Sequence, residues 1–517
     1  MLLFLVGLAL LVGGYLLYGG HLNRLLQPDL AAVTPAVRLQ DGMDYVPMPT
    51  WRIYLIQLLN IAGLGPVFGP IMGALWGPRV FLWIVLGCIF GGAAHDLVTG
   101  TMSVRNNGAG LPDLIGHYLG RTARHAATLF ILVLMVLVGT VFVKGPALLL
   151  VSLLPAETVG GWIGPGFVEW LTSDARGQSV WLWVVMGLVF LYYVLATMLP
   201  IDKLIGRIYP LFALALLGMA VGLGASILTG RIPQVEWTTA NLHPNALPAW
   251  PLIFITVSCG AISGFHATQS PLMARCLKSE RHMRTVFYGA MIAEGIIAFV
   301  WAYAAQGYYG GVEGLSAALG PGLNRTNEVV HTISMGAMGT VGGALAILGV
   351  VVLPITSGDT AFRAGRLIAA DYLKLTQKRV RNRYLIALPM FGLSMVLMVV
   401  PFGIIWRYFG WANQTLAAIS LWAATVYLAR RRSRYWLTLV PAQFMTTMTI
   451  AYILVEKRQN GCLGLEVWLG TTLALAVALA ATILFFWKLR TLGPEDGRKA
   501  LEVEPSAFER TIDTLAC

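Results

Sequence analysis

Apolar residues run along this chain in stretches of about 20, and short polar loops separate the stretches. A helix needs about that length to cross the hydrocarbon core of a bilayer, so each stretch predicts a transmembrane helix, and we number these helices spans 1 to 13. They cover residues 2–20, 51–76, 79–103, 126–153, 180–199, 207–229, 249–272, 284–309, 334–357, 384–406, 411–430, 434–455 and 465–489. The pattern predicts an all-α polytopic membrane protein with about 13 transmembrane helices.

Composition and charge support this class. Of the 517 residues, 57% are hydrophobic and 12% are charged, which is about half the charged fraction of a typical soluble domain. Most of the 36 Lys and Arg residues lie in alternate loops, and the positive-inside rule makes those loops cytoplasmic. We therefore predict a multi-pass protein of the inner (cytoplasmic) membrane with its N-terminus outside and its C-terminus in the cytoplasm. The net charge of +12 belongs to these loops, so nucleic-acid binding is not predicted.

Spans 2 and 7 cannot be continuous helices. Span 2 contains Pro66 and Pro70, each of which removes an amide donor and clashes with the preceding turn. Span 7 contains Gly260 and Gly264, which lower helix propensity at the depth of the bilayer midplane. Two interrupted spans at corresponding positions of a chain indicate a transporter binding site.

The two interrupted spans are five spans apart in the chain. A unit of five helices is odd-numbered, so a second copy enters the membrane from the opposite face, and spans 2–6 and 7–11 form an inverted repeat. This five-plus-five arrangement with a broken first helix in each half resembles the leucine-transporter fold of the amino acid–polyamine–organocation superfamily. The predicted domains are an extra N-terminal helix and cytoplasmic loop (1–50), the first repeat (51–230), the second repeat (249–430), two accessory helices (434–489) and a cytoplasmic tail (490–517).

Seven stretches in order resemble the carbon starvation protein A family. They are IAGLGPVFGP (61–70), WIVLGCIFGGAAHD (83–96), SVRNNG (103–108), FITVSCGAISGFHATQSP (254–271), YGAMIAE (288–294), SGDTAFRAGR (357–366) and WANQTLAAISL (411–421). The resemblance extends over about 55–430, and the sequence departs from the family mainly at its ends. It implies uptake of short peptides or of pyruvate during carbon starvation, as a stress response. The implied mechanism is proton-coupled symport by alternating access of a moving bundle against a scaffold.

The two breaks are the predicted substrate-binding site. A half-helix presents free amide N–H groups and a positive dipole end, and these receive the carboxylate that peptides and pyruvate both carry. The alternative is that these residues only kink the helices for packing. The predicted binding residues are Gly63, Gly65, Pro66, Gly69, Ser258, Gly260, Ser263, Gly264, His266 and Gln269. The predicted partners are a small anionic substrate, either a peptide or pyruvate, and membrane lipid. A small accessory subunit is a further possible partner that the sequence does not decide.

Four ionisable residues inside spans are candidates for ion coupling. His95 and Asp96 end a glycine-rich run in span 3, Glu294 lies in span 8 and Lys144 lies in span 4. Such residues are costly in a membrane and are usually functional. The alternatives are a structural network around His95 and Asp96, a hydrogen-bonding role for Glu294, and snorkelling of Lys144 to the outer surface. We favour H⁺ as the coupling ion, with Na⁺ as an alternative, and predict no cofactor.

A bound metal ion is a further alternative. His95, Asp96 and His266 would form a His/His/Asp ligand set if spans 3 and 7 adjoin, although no spacing rule demands it. The five cysteines show neither CxxC nor Cys/His ligand spacing, so neither a disulfide nor a structural zinc is predicted.

Two pairs of polar residues are candidates for gates. Asp359 and Arg363 are four residues apart at the cytoplasmic end of span 9, where they form either a gate ion pair or a structural clamp. Asn413 and Gln414 begin span 11 near the outer side, where they would line an access path.

The other function classes have less support. An intramembrane enzyme is not predicted, because Ser263 and His266 are three residues apart on an unwound segment and offer no oxyanion geometry. The P-loop pattern GxxxxGK[ST] does not occur in the sequence, which argues against a primary pump. A membrane sensor or channel stays an alternative.

Overall fold

The computed structural model describes residues 1–41, 45–196, 201–323, 325–375 and 380–491. Within these ranges the regular secondary structure is helical, apart from one isolated bridge between Asp174 and Ser179. Apart from residues at their ends, the predicted spans lie on helix as far as they are described, except at residues 62–64, 257–263 and 398–401. In hydrocarbon every backbone amide and carbonyl must be satisfied within its own segment, and helices achieve this.

Six described helices are long and apolar enough by themselves to cross a membrane. They form spans 1, 3, 4, 8, 12 and 13 and have the bounds Leu2–Leu26, Arg79–Arg105, Arg121–Leu153, Glu280–Tyr308, Trp436–Val455 and Val467–Leu489. Spans 5 and 6 are the helices Val180–Ala196 and Ile201–Leu228. Span 3 is π-helical from Trp83 to Gly92, a widened geometry that is frequent near functional sites.

Span 9 is longer and less regular than the sequence predicts. It runs through the helices Thr326–Ala346, Ile347–Val352 and Leu353–Leu373. Gly339 interrupts the first of these with φ +63° and ψ −149°, a conformation that glycine adopts without a steric penalty. A lone glycine in an apolar run is compatible with either a helix or a break, so the prediction missed this interruption.

The boundary between spans 10 and 11 also differs from the prediction. The two helices are Val380–Leu397 and Phe402–Arg430, so the chain is continuous helix where a loop was expected between residues 406 and 411. The interruption comes earlier because Pro401 has no amide donor and cannot continue the preceding helix. The new helix starts directly after this proline.

Short helices fill several of the loops. They are Pro35–Arg38, Leu111–Leu119, Ala156–Gly160, Pro165–Thr172 and Val312–Leu319. The last of these lies in the glycine-rich loop that follows span 8.

The chain divides into two compact units, and each contains helices from both predicted repeats. The first unit comprises Met1–Ile131, Pro233–Leu315 and the described residues 410–491, and therefore holds spans 1–3, 7, 8 and 11–13. The second unit comprises Leu132–Ile232 and Ser316–Phe409, and holds spans 5, 6, 9 and 10 with most of span 4.

One end of the first unit gathers ends of spans 1, 3, 8 and 11. Arg105 donates from Nε and Nη2 to the two carboxylate oxygens of Glu280, at 3.0 and 2.7 Å. Its Nη1 donates to the hydroxyl of Tyr427 at 3.2 Å, and Nη2 also reaches the carbonyl oxygens of Leu26 and Gln27 at 2.9 Å. The loops that the charge pattern assigns to one side of the membrane therefore meet at one end of this unit.

Candidate functional site

Span 2 is broken where the sequence predicts. The first half-helix is Thr50–Ile61 and the second is Gly65–Trp76, and the two are bent by 47°. Pro66 stands in the first turn of the second half, where its missing amide has no partner to lose and its fixed φ favours helix initiation. The non-helical residues 62–64 between the two halves are buried.

Span 7 is broken over a longer stretch. Its half-helices are Ala249–Thr256 and Gly264–Ala274, so residues 257–263 are non-helical. Gly260 adopts φ +85°, a left-handed conformation that strains other residue types, and Ser263 is extended at φ −147°. Both interruptions of the five-plus-five prediction are therefore present.

The two breaks touch each other. A methyl group on Gly65 would overlap both the Cβ and the Sγ of Cys259. On the other side, a Cβ on Gly260 would overlap Ala298 of span 8 and would lie 3.9 Å from the Cα of Pro66. Glycine is therefore required at residue 65 because the Cys259 side chain occupies the space of a Cβ, and at residue 260 because Ala298 does so and φ is positive.

Several amides in the breaks have no protein acceptor. Within the described part of the chain, the amides of Gly63 and Leu64 donate to no group, whereas the Leu64 carbonyl accepts from the second half-helix. In span 7 the amide of Gly260 donates to Glu294 Oε1 at 3.2 Å and that of Phe265 to Asn413 Oδ1 at 2.7 Å. Among the described residues, free donors therefore remain in span 2 at residues 63 and 64 and in span 7 at residues 258, 259 and 261–263, while side chains satisfy the amides of Gly260 and Phe265.

Three of the four coupling candidates meet in one fully buried polar cluster. The Nδ1 of His95 lies 2.8 Å from Asp96 Oδ1, and the Nδ1 of His266 lies 2.9 Å from Asp96 Oδ2. The Nε2 of His266 lies 3.3 Å from Glu294 Oε2. These side chains come from spans 3, 7 and 8 and are 0% exposed. His266 bridges two carboxylates, and its predicted role in substrate binding stays a prediction.

The fourth coupling candidate, Lys144, lies in the second unit and binds backbone. Its Nζ donates to the carbonyl oxygens of Met398 and Val400 at 2.9 and 2.7 Å, and the residue is 3% exposed. The ammonium group therefore satisfies carbonyls after the end of span 10. It does not snorkel to the surface, which was one interpretation of the sequence.

Asn413 and Gln414 are fully buried and hold the span 7 break. Asn413 Nδ2 donates to Ser263 Oγ at 2.9 Å and approaches Cys259 Sγ at 3.6 Å. Gln414 Nε2 donates to the carbonyl oxygens of Phe254 and Ser258 at 3.0 and 3.4 Å. Both side chains therefore bind backbone around the break, and their predicted place on an access path stays a prediction.

The second predicted gate pair forms as the spacing requires. Arg363 Nη2 donates to Asp359 Oδ2 at 3.0 Å within one helix, and both side chains are largely buried. The pairing of these residues was predicted from the sequence, and their role as a gate or as a clamp stays a prediction.

The remaining predicted binding residues lie in or beside the breaks. Gly69 and Gly264 are buried, and each lies in the half-helix that follows its break. The Ser258 hydroxyl and the Gln269 side-chain carbonyl are buried and have no hydrogen-bond partner among the described residues. Buried polar atoms are rarely left unsatisfied, so these two atoms are available to hydrogen-bond water or a ligand.

A second group of three side chains could hold a metal ion. Cys259, His266 and Glu294 each offer one buried ligand atom, and these atoms lie within 4.8 Å of one another. The set expected from the sequence differs, because both carboxylate oxygens of Asp96 already bind imidazole nitrogens. Asp96 therefore binds the Nδ1 side of His266, opposite the Nε2 atom that is available to a metal, and His95 binds the other oxygen of Asp96.

Sequence reasoning missed two functional candidates in this region. Cys259 was judged only by its spacing to other cysteines, although its place inside the break was a usable signal. Gln57 lies one turn before the span 2 break, is 0% exposed, and has no partner for either side-chain polar atom among the described residues. A glutamine in an apolar span is the signal that could have identified it.

Comparison with solved structures confirms the predicted fold. A solved structure described as "MhsT in complex with L-phenylalanine" aligns with a TM-score of 0.51 over 86% of this chain and 99% of that chain at 14% identity. At this identity the likeness bears on the fold alone. It agrees with a leucine-transporter-like arrangement with broken first helices.

Three curated relatives are similar to most of the chain. An uncharacterised membrane protein of Haemophilus influenzae is 42% identical over 63% of this chain and 95% of its own length. "Peptide transporter CstA" of Campylobacter jejuni is 27% identical over 84% of this chain and 77% of its own length. "Pyruvate/proton symporter BtsT" of Escherichia coli is 25% identical over 83% of this chain and 77% of its own length.

The family comparison covers nearly all of the described chain. The family model "Carbon starvation protein CstA" matches residues 1–153, 143–309 and 302–452, and it includes both breaks and the buried polar cluster. The named relatives are transporters and not enzymes. The chain is therefore a secondary transporter of the membrane and belongs to the carbon starvation protein CstA family.

Proposed function

We propose that this transporter takes up a small carboxylate, a short peptide or pyruvate, and that the span 2 break holds the carboxylate. The observation that carries the proposal is the pair of free amides at Gly63 and Leu64. They lie directly before a half-helix, whose N-terminus favours negative charge. A carboxylate bound there would replace the acceptors that the protein does not supply.

Buried polar atoms near the breaks support a polar substrate. The Ser258 hydroxyl, the Gln269 carbonyl and the Gln57 amide lack partners among the described residues. Such groups cost free energy when left unpaired. A 2-oxo acid or a peptide offers the donors and acceptors that could satisfy them, so both substrate classes fit the chemistry.

The coupling ion and the orientation are part of the same proposal. We favour H⁺, because one relative is named a pyruvate/proton symporter, with Na⁺ as the alternative. The end of the first unit that holds Arg105 and Glu280 faces the cytoplasm in this proposal, since the loops assigned to it are rich in Lys and Arg. The N-terminus would then lie outside and the protein would act in the cytoplasmic membrane by alternating access.

Transport into proteoliposomes tests the proposal in two steps. Counterflow of labelled pyruvate and of labelled dialanine, without any ion gradient, identifies the substrate. An imposed inward H⁺ gradient and, separately, an imposed Na⁺ gradient then identify the driving ion. We expect counterflow of one of these substrates and its accumulation only with the H⁺ gradient. Folded protein that carries neither substrate would contradict the proposal.

A pair of serine variants tests the site itself. Ser258→Ala removes an unpaired buried hydroxyl beside the break, and a lost hydrogen bond to substrate should raise the KM of counterflow about threefold to tenfold. Ser420→Ala is the matched control, because the Ser420 hydroxyl is also buried but is already bonded to the Leu416 carbonyl at 2.6 Å. Equal KM values for Ser258→Ala and wild type would remove Ser258 from the site.

A further inference from the structure

We propose that Cys259, His266 and Glu294 bind a divalent metal ion of the zinc class at the break of span 7. One thiol, one imidazole and one carboxylate converge there, all of them buried and within 4.8 Å of one another. Cys259 lies in the non-helical stretch 257–263, His266 lies in the first turn of the half-helix that follows it, and Glu294 comes from span 8. The bound ion would fasten the break to its neighbouring helix, whatever substrate the protein carries.

The contact between His266 and Glu294 has the spacing of two metal ligands. Their Nε2 and Oε2 atoms are 3.3 Å apart, yet neither atom has a hydrogen-bond partner among the described residues. Zinc bonds of about 2.0–2.2 Å at tetrahedral angles place two such ligands about 3.4 Å apart. The pair therefore has the distance expected around a shared ion and lacks the alignment of a hydrogen bond.

The imidazole of His266 is oriented as metal-binding imidazoles are. Its Nδ1 lies 2.9 Å from Asp96 Oδ2, and because a carboxylate oxygen can only accept, the proton of the neutral ring is on Nδ1 and its lone pair is on Nε2, the atom that faces Glu294. The second oxygen of Asp96 is held by His95 at 2.8 Å. A carboxylate behind the ring fixes the tautomer and raises the basicity of a metal-binding histidine.

The other two ligands are held in the same way. The amide of Gly260 donates to Glu294 Oε1 at 3.2 Å, so the free oxygen, Oε2, is the one directed at His266. Asn413 Nδ2 approaches Cys259 Sγ at 3.6 Å, a contact that stabilises a thiolate. Each proposed ligand thus has a second group that orients it, as in established metal sites.

The ligand chemistry selects the class of ion. Ca²⁺ and Mg²⁺ prefer oxygen ligands alone, whereas a thiolate, an imidazole and a carboxylate together suit Zn²⁺ and its neighbours. A thiolate and a carboxylate balance the two charges of the ion, which reduces the cost of burying it in a membrane. Three protein ligands leave the fourth tetrahedral position to water or another small ligand.

Metal content and a spectroscopic probe test the site without any variant. Because the ligands are buried, the protein is produced in zinc-supplemented medium, purified in detergent and analysed by elemental mass spectrometry. We expect equimolar zinc after extensive washing. After chelation and loading with Co²⁺, we expect a thiolate-to-cobalt charge-transfer band and intense visible bands of a tetrahedral site. Protein with neither zinc nor these bands would overturn the proposal.

Variants then assign the site to these residues. Cys259→Ser should abolish the charge-transfer band, and His266→Gln and Glu294→Gln should remove the bound zinc. Asp96→Asn touches no metal but loosens His266, so zinc affinity should fall about 10- to 100-fold. Cys88→Ser is the matched control, because Cys88 is equally buried but its Sγ is directed to the Met291 carbonyl at 3.3 Å.

The outcomes separate the proposal from its competitors. Zinc and cobalt bands retained by Cys259→Ser would mean that metal binds elsewhere, for example at surface histidines. If Asp96→Asn bound zinc as tightly as the wild type, Asp96 would not orient His266 for metal binding. Size-exclusion profiles identify any variant that fails to fold, and the wild-type cobalt spectrum decides the matter in that case. The transport assay is a separate measurement, so zinc-bound protein that carries no substrate would contradict the proposed function alone.

Discussion

Gly65 is the residue at which the two broken spans touch. A methyl group there would overlap the side chain of Cys259, so Gly65→Ala should push the breaks apart. Overpacking of this kind costs about 1–3 kcal/mol. We expect a lower melting temperature in detergent and loss of counterflow.

Gly13→Ala is the control for this substitution. Gly13 also lies in a membrane span, but a Cβ there would meet nothing within 4 Å. Alanine should be neutral or slightly stabilising at this helical residue. If Gly65→Ala melted and transported like Gly13→Ala, the close approach of the two breaks would be refuted.

The residues that needed the structure are those whose partners are distant in sequence. His266 and Asp96 are 170 residues apart in the chain, and Asn413 and Ser263 are 150 apart. The sequence identified each of these residues as polar in an apolar span. It could not show which of them meet, because hydrophobic periodicity reports burial and carries no information on which helix lies opposite.

At the scale of helices, Lys144 binds the backbone carbonyls that directly follow span 10. Its ammonium group donates to the Met398 and Val400 carbonyl oxygens, and positive charge near a helix C-terminus is favourable. Lys144→Met removes both bonds and leaves the Val400 carbonyl without its donor, whereas the Met398 carbonyl keeps the bond from Gln178. We expect a loss of about 1.5–3 kcal/mol, seen as a lower melting temperature.

The matched control is Gln178→Met. Gln178 Nε2 donates to the same Met398 carbonyl at 3.1 Å, but it is neutral, so its loss should cost only about 0.5–1.5 kcal/mol. The coupling role suggested by the sequence predicts the reverse pattern for Lys144→Met. In that case the melting temperature would be unchanged and gradient-driven accumulation would be lost while counterflow persisted.

The predicted helix ends agree best with the structure where the backbone chemistry of a residue forces a helix to end or to begin. Pro66 forces the break in span 2, and the break was predicted. Pro401 equally forces a restart, but the apolar run continues on both sides of it, so hydropathy placed the boundary about ten residues too late. The break at Gly339 was missed because glycine permits a left-handed conformation without requiring it.

At the scale of the whole molecule, orientation in the membrane is the property to test. Alkaline phosphatase fused after Arg176 should be active, because that loop is proposed to lie outside. The same fusion after Arg281 should be inactive, and green fluorescent protein fused there should fluoresce. The physical reason is that loops rich in Lys and Arg stay in the cytoplasm. The opposite pattern at both sites would reverse the proposed orientation.

The amino-acid sequence by itself determined the class of the protein, the position of most of its spans and the two interrupted helices. These follow from local physical chemistry: apolar length matches the bilayer, and glycine and proline act on the backbone at their own positions. Family membership also follows from the motifs, which are local strings of residues.

Only the tertiary structure decided how the polar residues combine. It joined His95, Asp96, His266 and Glu294 into one buried cluster, brought Cys259 to the edge of that cluster, and moved Lys144 to the end of another helix. These contacts depend on which helix faces pack together, and many weak interactions spread along the chain set that packing. A rule based on residue spacing uses one segment of the chain at a time, so it cannot predict which helix faces pack together.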